Sequence, residues 1–436
     1  MGVMGKDRDT NGYVNASTEP PPANSAVNRR LLVFGGAVGG VLASHQSFAQ
    51  TSANVPPNVP QWMKEQGAPI LSPAYGVPSE FEKAVIRRKR DPRPTDTAAP
   101  SWSPLQNLYG IITPNGLCYE RHHNGVPLIN PDEHRLIIHG LVDRELIFTM
   151  DDLMRFPSVS RIYFMECAGN TQNWQNTNPD WTVQHTHGLV LCCEWTGVLL
   201  STLLEEVGLK PNGKWVLAEG ADAAAMTRSL PIEKALDDTI IVYAQNGERL
   251  RPEQGYPLRM FVPGYEGNMS IKWLRRLKIG DQPFHTREET SKYTDLMPDG
   301  RARQFTFVME AKSVITRPSG GQQLSGGKGS YEITGLAWSG HGRIKRVDVS
   351  VDGGKNWHEA RLQEPVLPKA LTRFCAPWRW DGGPAILQSR AIDETGYVQP
   401  QHDAIVNARG LYSSDHYNAI QSWRVSSDGR VVFHVA

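Results

Sequence analysis

Ile162-Tyr163-Phe164-Met165-Glu166-Cys167-Ala168-Gly169-Asn170 is the stretch on which the reading of this chain turns. A run of strand-forming apolar residues stops at a loop of small and polar ones. One thiol is thereby delivered to a strand end, where backbone groups and ligands can meet it. A cysteine after an apolar run is most often a small buried hydrophobe. Taken alone, the stretch therefore leaves a structural thiol, a nucleophile and a metal ligand all open. The loop continues through Thr171-Gln172 towards Trp174 and Trp181, which either line a pocket or pack the loop.

Outward from this loop the periodicities are mixed. Arg135 to His139 reads as a strand ending in a turn at Gly140, and Thr149-Met150-Asp151-Asp152-Leu153 as a helix start with a polar cap. Residues 196–207 place Leu199, Leu200, Leu203, Leu204 and Val207 on one helical face, with Gly208 as the stop. Further strands are expected at 215–218, 239–243 and 258–262. Helices and strands without regular alternation predict an α+β fold. Past Pro283 the pattern changes. Val347, Val349 and Val351 alternate with polar residues, and Asp352-Gly353-Gly354 turns the chain before Trp357, as in a hairpin. Short strands with glycine turns recur to the end, predicting an all-β sandwich over 300–436 that serves packing or pairing.

The N-terminal residues read differently. Residues 1–28 are polar and predict a disordered leader. Arg29-Arg30 then precedes an apolar, glycine-rich segment of about 13 residues, shorter than the about 20 a membrane span needs. Ser47-Phe48-Ala49 follows as a small-x-small cleavage pattern. The expectation is a periplasmic protein exported by the twin-arginine route, with an ordinary secretory signal as the alternative, and no stable membrane span. Residues 51–105 read as an extended, Pro-rich arm. Its Arg87-Arg88-Lys89-Arg90 cluster is either a solvated stretch or a contact for an acidic partner.

Composition bounds the function. Of 436 residues, 39% are hydrophobic and 21% charged, enough for two or three domains with cores of their own. The 46 basic and 45 acidic residues nearly cancel, which excludes a nucleic-acid binder acting through overall charge. Five cysteines (118, 167, 192, 193 and 375) leave at least one unpaired, and the adjacent Cys192 and Cys193 are poor disulfide partners. Without Cys-x-x-Cys or Cys-x-x-Cys-His, the chain predicts neither a zinc ribbon nor attached haem.

Several separated pieces then form one pattern. Arg121-x-His123, Cys167-Ala-Gly-Asn170, Glu194-Trp-Thr-Gly-Val198, Tyr243-x-x-Asn-Gly247, Gly255-Tyr-Pro-Leu-Arg259 and Lys272-Trp273-Leu274 together resemble the sulfite oxidase family of molybdoenzymes. The resemblance implies a molybdopterin-binding catalytic domain over 106–285, followed by an immunoglobulin-like β-sandwich dimerisation domain over 300–436. It implies a molybdenum ion held by a pyranopterin dithiolene and by Cys167, a soft thiolate suited to that metal. By the same resemblance His123, Arg228, Ser270 and Lys272 hold the cofactor, Arg121 faces the substrate, and Tyr243 supplies a catalytic phenol. His122, His139, His185 and His187 receive no role. Within the family the chain is most similar to the molybdenum subunits of thiosulfate-oxidising sulfane dehydrogenases. That implies a carrier protein's cysteine-bound sulfur as substrate, a c-type cytochrome subunit as acceptor, and a homodimer completed by the cytochrome into a heterotetramer. One departure bears on substrate. Where the family has two arginines after Cys-Ala-Gly-Asn, this chain has Thr171-Gln172, which weakens capture of a free dianion. A periplasmic sulfite dehydrogenase, or a relative acting on another small substrate, is the alternative. A non-enzymatic binding protein is disfavoured by the joint presence of Cys167, His123, Tyr243 and Lys272.

Overall fold

Three short antiparallel strands open the fold: β1 (Arg88–Lys89), β2 (Pro100–Trp102) and β3 (Glu120–Arg121), with Pro100 opposite Arg121 and Ser101 opposite Glu120. In this computed structural model the described residues are 75–435 without 91–94, 172–177 and 411–414, together with positions 60, 63 and 66. The expected leader, export signal and first part of the arm, along with Gln172 and Trp174, lie outside them. The arm expected to run extended to residue 105 is instead folded from Arg87 onward. Arg87 pairs with Glu120, and the Arg88 guanidinium lies 4.5 Å from the centre of the Trp102 ring. Half of the basic cluster is thus bound to its own chain.

The N-terminal domain continues with β4 (Leu136–Gly140), β5 (Leu146–Phe148), α1 (Met150–Arg155), β6 (Ser158–Glu166), α2 (Val183–His187), β7 (Val190–Leu199) and α3 (Leu200–Val207). After these come β8 (Trp215–Gly220), β9 (Thr227–Pro231), α4 (Ile232–Asp237), β10 (Ile240–Gln245), β11 (Glu248–Arg249), β12 (Arg259–Phe261) and β13 (Leu274–Gly280). They form two sheets, ordered β11-β10-β7-β6 with β12 on β10, and β5-β4-β13-β8-β9. Thr149 and Asp152 cap α1 reciprocally, as the sequence led one to expect. The helix expected over 196–207 begins only at Leu200. Residues 196–199 remain in β7, where Thr196 pairs with Ser160 and Val198 with Ser158, a setting that suits β-branched residues. Gly197 permits this close packing, because a Cβ there would lie 2.1 Å from the Ile241 carbonyl oxygen. Leu203, Leu204 and Val207 of α3 pack with Leu136, Ile138 and Leu277 in one core.

The C-terminal domain follows α5 (Arg287–Ser291), β14 (Asp295–Leu296) and β15 (Ala302–Arg303). Its strands are β16 (Lys312–Arg317), β17 (Gly329–Trp338), β18 (Ile344–Ser350), β19 (His358–Glu359), β20 (Arg361–Leu362), β21 (Thr372–Trp380) and β22 (Ala385–Asp393). After α6 (His402–Arg409), β23 (Ser422–Val425) and β24 (Val431–His434) complete it. Sheets β16-β17-β21-β20 and β19-β18-β22-β23-β24 form the expected sandwich. The predicted hairpin is β18–β19, turning through Gly353 and Gly354 at φ +75° and +86°. Val314, Trp338 and Phe374 of one sheet meet Val347, Leu387 and Trp423 of the other. That same core also contains Leu105, Leu108, Phe164, Val183 and Val190. The two domains therefore share apolar packing at their seam, and Pro78–Ala436 is one compact unit.

Candidate active site

Strand β6 hands the chain to Cys167 with both neighbours pinned. The Cys167 N–H donates to the Leu189 carbonyl at 3.0 Å, and Asn170 N–H donates to the Cys167 carbonyl at 2.9 Å. The Asn170 amide donates to Glu166 Oε1 (2.9 Å) and the His187 carbonyl (3.1 Å), while its oxygen accepts from Leu189 N–H (3.1 Å). The asparagine thus ties the end of β6 to the start of β7. From the other domain, His416 N–H donates to the Ala168 carbonyl at 2.9 Å.

Cys167 stands where two hollows meet. The inner one, about 80 Å³, is lined by Arg121, His122, His123, Arg259, Ser270, Lys272 and Trp273 among others. The outer cavity, about 520 Å³, is lined by Arg88, Arg90, Trp102, Trp181, His185 and Lys292, and by Asp415, Gln421 and Phe433 of the C-terminal domain. Arg121, His123, Cys167 and Tyr293 line both. Burial pushes the thiol up to about 11 and Asp415 adds to the rise, opposed by the Gly169 N–H and by Arg121.

The structure gathers most of the sequence-predicted residues around the inner hollow. Lys272 Nζ donates to the carbonyls of Arg121 and Glu253, both at 3.2 Å, and lies 3.0 Å from His122 Nδ1. Burial, then Arg259, lowers its pKa well below the ordinary value. His123 is pushed down to about 4 by partial burial and by Arg121 and Lys272. Ser270 also borders the hollow; its hydroxyl accepts from Val262 N–H at 3.0 Å, which leaves the hydroxyl proton to donate elsewhere.

Two of the expected site residues are elsewhere. Arg228 lines neither hollow; it is fully buried between Glu266 (3.0 Å) and Glu289 (3.5 Å). Tyr243 also lines neither hollow. It sits below the Arg249 guanidinium, 5.5 Å from its ring centre, and packs on the core of α3 and β4. The reason is strand parity. Ile240 and Val242 point to the cluster that includes Cys167, whereas Ile241 and Tyr243 point to the opposite face of β10.

The phenol at the site is Tyr293, two residues past α5. Its ring lies 5.0 Å from the Arg228 guanidinium, which explains what Arg228 does: it supports the tyrosine from behind. Burial, then Cys167 and Glu266, push the Tyr293 phenol upward, so it is a hydroxyl donor at neutral pH. Sequence reading gave no site role to Arg259, His122, Arg88, Trp102 or Asp415, although Arg259 closes one of the quoted motifs. Of these, Arg88 lay in a basic cluster that the sequence did flag.

The donor set fits a molybdenum pterin. Arg259 is 2% exposed and donates to the Gln254 and Ser270 carbonyls, yet among the described residues neither it nor Lys272 has a carboxylate partner. The buried Arg259 guanidinium, with the half-buried Lys272 ammonium beside it and Asp222 and Glu253 nearby, favours an anionic occupant such as a phosphate. Among the described residues no three His, Cys, Asp or Glu side chains converge as a metal cage. A dithiolene would supply a metal at Cys167 with soft ligands beyond the thiolate.

Comparison with known proteins agrees with this geometry. Residues 123–288 match the oxidoreductase molybdopterin binding domain, and residues 303–422 the Mo-co oxidoreductase dimerisation domain. Sulfite oxidase of Gallus gallus is 31% identical over 330 residues, covering 70% of this chain and 72% of the relative. Mitochondrial sulfite oxidase of Drosophila melanogaster is 28% identical over 367 residues, and the chain spans 63% of its length. Among solved structures, the sulfane dehydrogenase SoxCD from Paracoccus pantotrophus superposes with a TM-score of 0.84 at 49% identity, covering 87% of this chain and 98% of that one.

Proposed function

The chain belongs to the sulfite oxidase family of molybdopterin oxidoreductases, and from that premise we propose that it is the molybdenum subunit of a sulfane dehydrogenase. Its substrate is sulfur carried on the cysteine of a carrier protein, and its electrons pass to a c-type cytochrome. The observation that supports this reading best is the 49% identity to a sulfane dehydrogenase over nearly the whole of that chain, against 31% for the Gallus gallus sulfite oxidase.

When bound, the molybdenum pterin supplies the oxidising equivalents, with oxygen drawn from water. Cys167 is its protein ligand, and Lys272, Arg259 and His123 line the seat for the anionic pterin. The remaining tasks fall to the chain's own residues. Arg121 borders both hollows, so its guanidinium faces cofactor and substrate together. Tyr293 presents a protonated hydroxyl there, suited to donate to an oxygen gaining negative charge and to relay its proton outward. The aromatic wall of Trp102, Trp181 and Phe433 excludes water from one side of the outer cavity; Trp181 and Phe433 meet edge to face at 5.8 Å. Asp415 also borders the outer cavity with Cys167.

A second reading, oxidation of free sulfite, is favoured by one observation: Arg88, Arg90, Arg121 and Lys292 all border the outer cavity. Turnover separates the two. The isolated complex is assayed with a persulfidated carrier protein and with free sulfite, alongside elemental analysis for molybdenum and haem. One molybdenum per chain, co-purifying haem and preference for the carrier are expected. Efficient turnover of sulfite without turnover of the carrier overturns the first reading, and absence of molybdenum overturns both. The proposal extends to a homodimer through the C-terminal domain and to export to the periplasm. Among the described residues no helix is long and apolar enough to cross a membrane.

A further inference from the structure

Glu166, directly before Cys167, is completely buried, where an unpaired carboxylate is costly. Its Oε1 accepts from Lys312 Nζ at 2.7 Å and from Asn170 at 2.9 Å; its Oε2 accepts from Trp338 Nε1 at 2.6 Å. Lys312 opens β16 and Trp338 ends β17, directly opposite in the ladder, so both belong to the C-terminal domain. Lys312 is itself 1% exposed and also lies 3.4 Å from Thr171 Oγ1. A single ammonium therefore spans the cysteine loop, touching the residue before Cys167 and one at its far end. Thr171 stands at φ +73°, a left-handed conformation that a β-branched residue adopts only when its surroundings enforce it.

Folding alone does not call for these charges, since apolar residues of matching volume generally serve a core as well as a buried ion pair. What the pair adds is direction. We propose that Lys312 is a positioning residue for the Cys167 thiol, through which the C-terminal domain fixes the angle at which the catalytic domain presents its metal ligand. Groups that orient a metal ligand without touching the metal commonly change affinity or activity by about 10–100-fold when removed.

This inference rests on Cys167 being the molybdenum ligand, and the test separates the two. In the intact complex, Lys312→Met, Lys312→Arg and the double variant Glu166→Gln/Lys312→Gln are compared with the wild type. The readouts are molybdenum content, the sulfur-to-metal charge-transfer absorption, kcat and KM. Lys312→Met is expected to shift the absorption band and lower kcat about 10–100-fold with KM unchanged, while Lys312→Arg retains the wild-type band. Should Lys312→Met fail to fold, the charge-neutral double variant is read in its place, with a smaller shift in the same direction expected. A band that stays at the wild-type position in the folded variant overturns the role of Lys312. A wild-type protein without molybdenum overturns the Cys167 reading instead.

Discussion

Tyr293 and His416 carry the sharpest expectations at the level of single residues. Tyr293→Phe removes the one phenol among the described residues that borders both hollows, so kcat/KM should fall about 10²-fold while molybdenum content stays unchanged. Tyr243→Phe should leave both unchanged, because that ring faces the opposite side of its strand. His416 ties the C-terminal domain to the site by holding Glu266 at 2.9 Å. Burial alone would lower its pKa, but the bonds to Glu266 and Glu310 prevail and lift it from 6.5 to about 9. Because the folded value is the higher one, this contribution is complete below pH 6.5 and is lost as pH rises through about 9. At about 1.4 kcal/mol per unit, it amounts to about 3 kcal/mol. Denaturant unfolding of wild type and His416→Gln from pH 6 to 10 should show a stability gap that closes across that interval.

At the level of elements, the first three strands do what an extended arm could not. β2 is the partner that holds Arg121 of β3 in register, and Trp102 on β2 walls the outer cavity. A chain shortened to begin at residue 78 should retain its molybdenum, whereas one beginning at 104 should lose it, as metal analysis of the purified proteins would register. This element also marks how far the sequence could be read. Periodicity and capping residues disclosed β4, the α1 cap, the β18–β19 hairpin and the sandwich, since each is set by neighbours along the chain. The strand ending at Cys167 was legible for the same reason. Pairing of residues 88–89 with 100–102 was not, because a basic, proline-rich stretch carries no alternation to announce a strand. Tyr243 illustrates a different limit. Alternation shows that it lies opposite Ile240 and Val242, but not which face of β10 meets the cysteine. Tyr293 lies in the segment between the domains, where neither helical nor strand periodicity singles it out.

Across the whole molecule, the apolar core is continuous from the sandwich to Phe164 on β6, three residues before Cys167. Because that cluster draws buried residues from both domains, the two are expected to unfold together, and calorimetry of the chain should give one transition. Phe164→Ala should cost about 3–5 kcal/mol and lower that single transition without splitting it. Two separate transitions would show that the seam is weaker than its packing implies. The seam also bears on protein engineering. A domain that pairs subunits is usually the natural piece to exchange between relatives, as a handle for changing assembly while leaving chemistry alone. Here that graft would replace Lys312, Trp338, Asp415 and His416 in one stroke. A chimera built to alter the oligomer would therefore also be an active-site variant, and its altered turnover should not be ascribed to assembly.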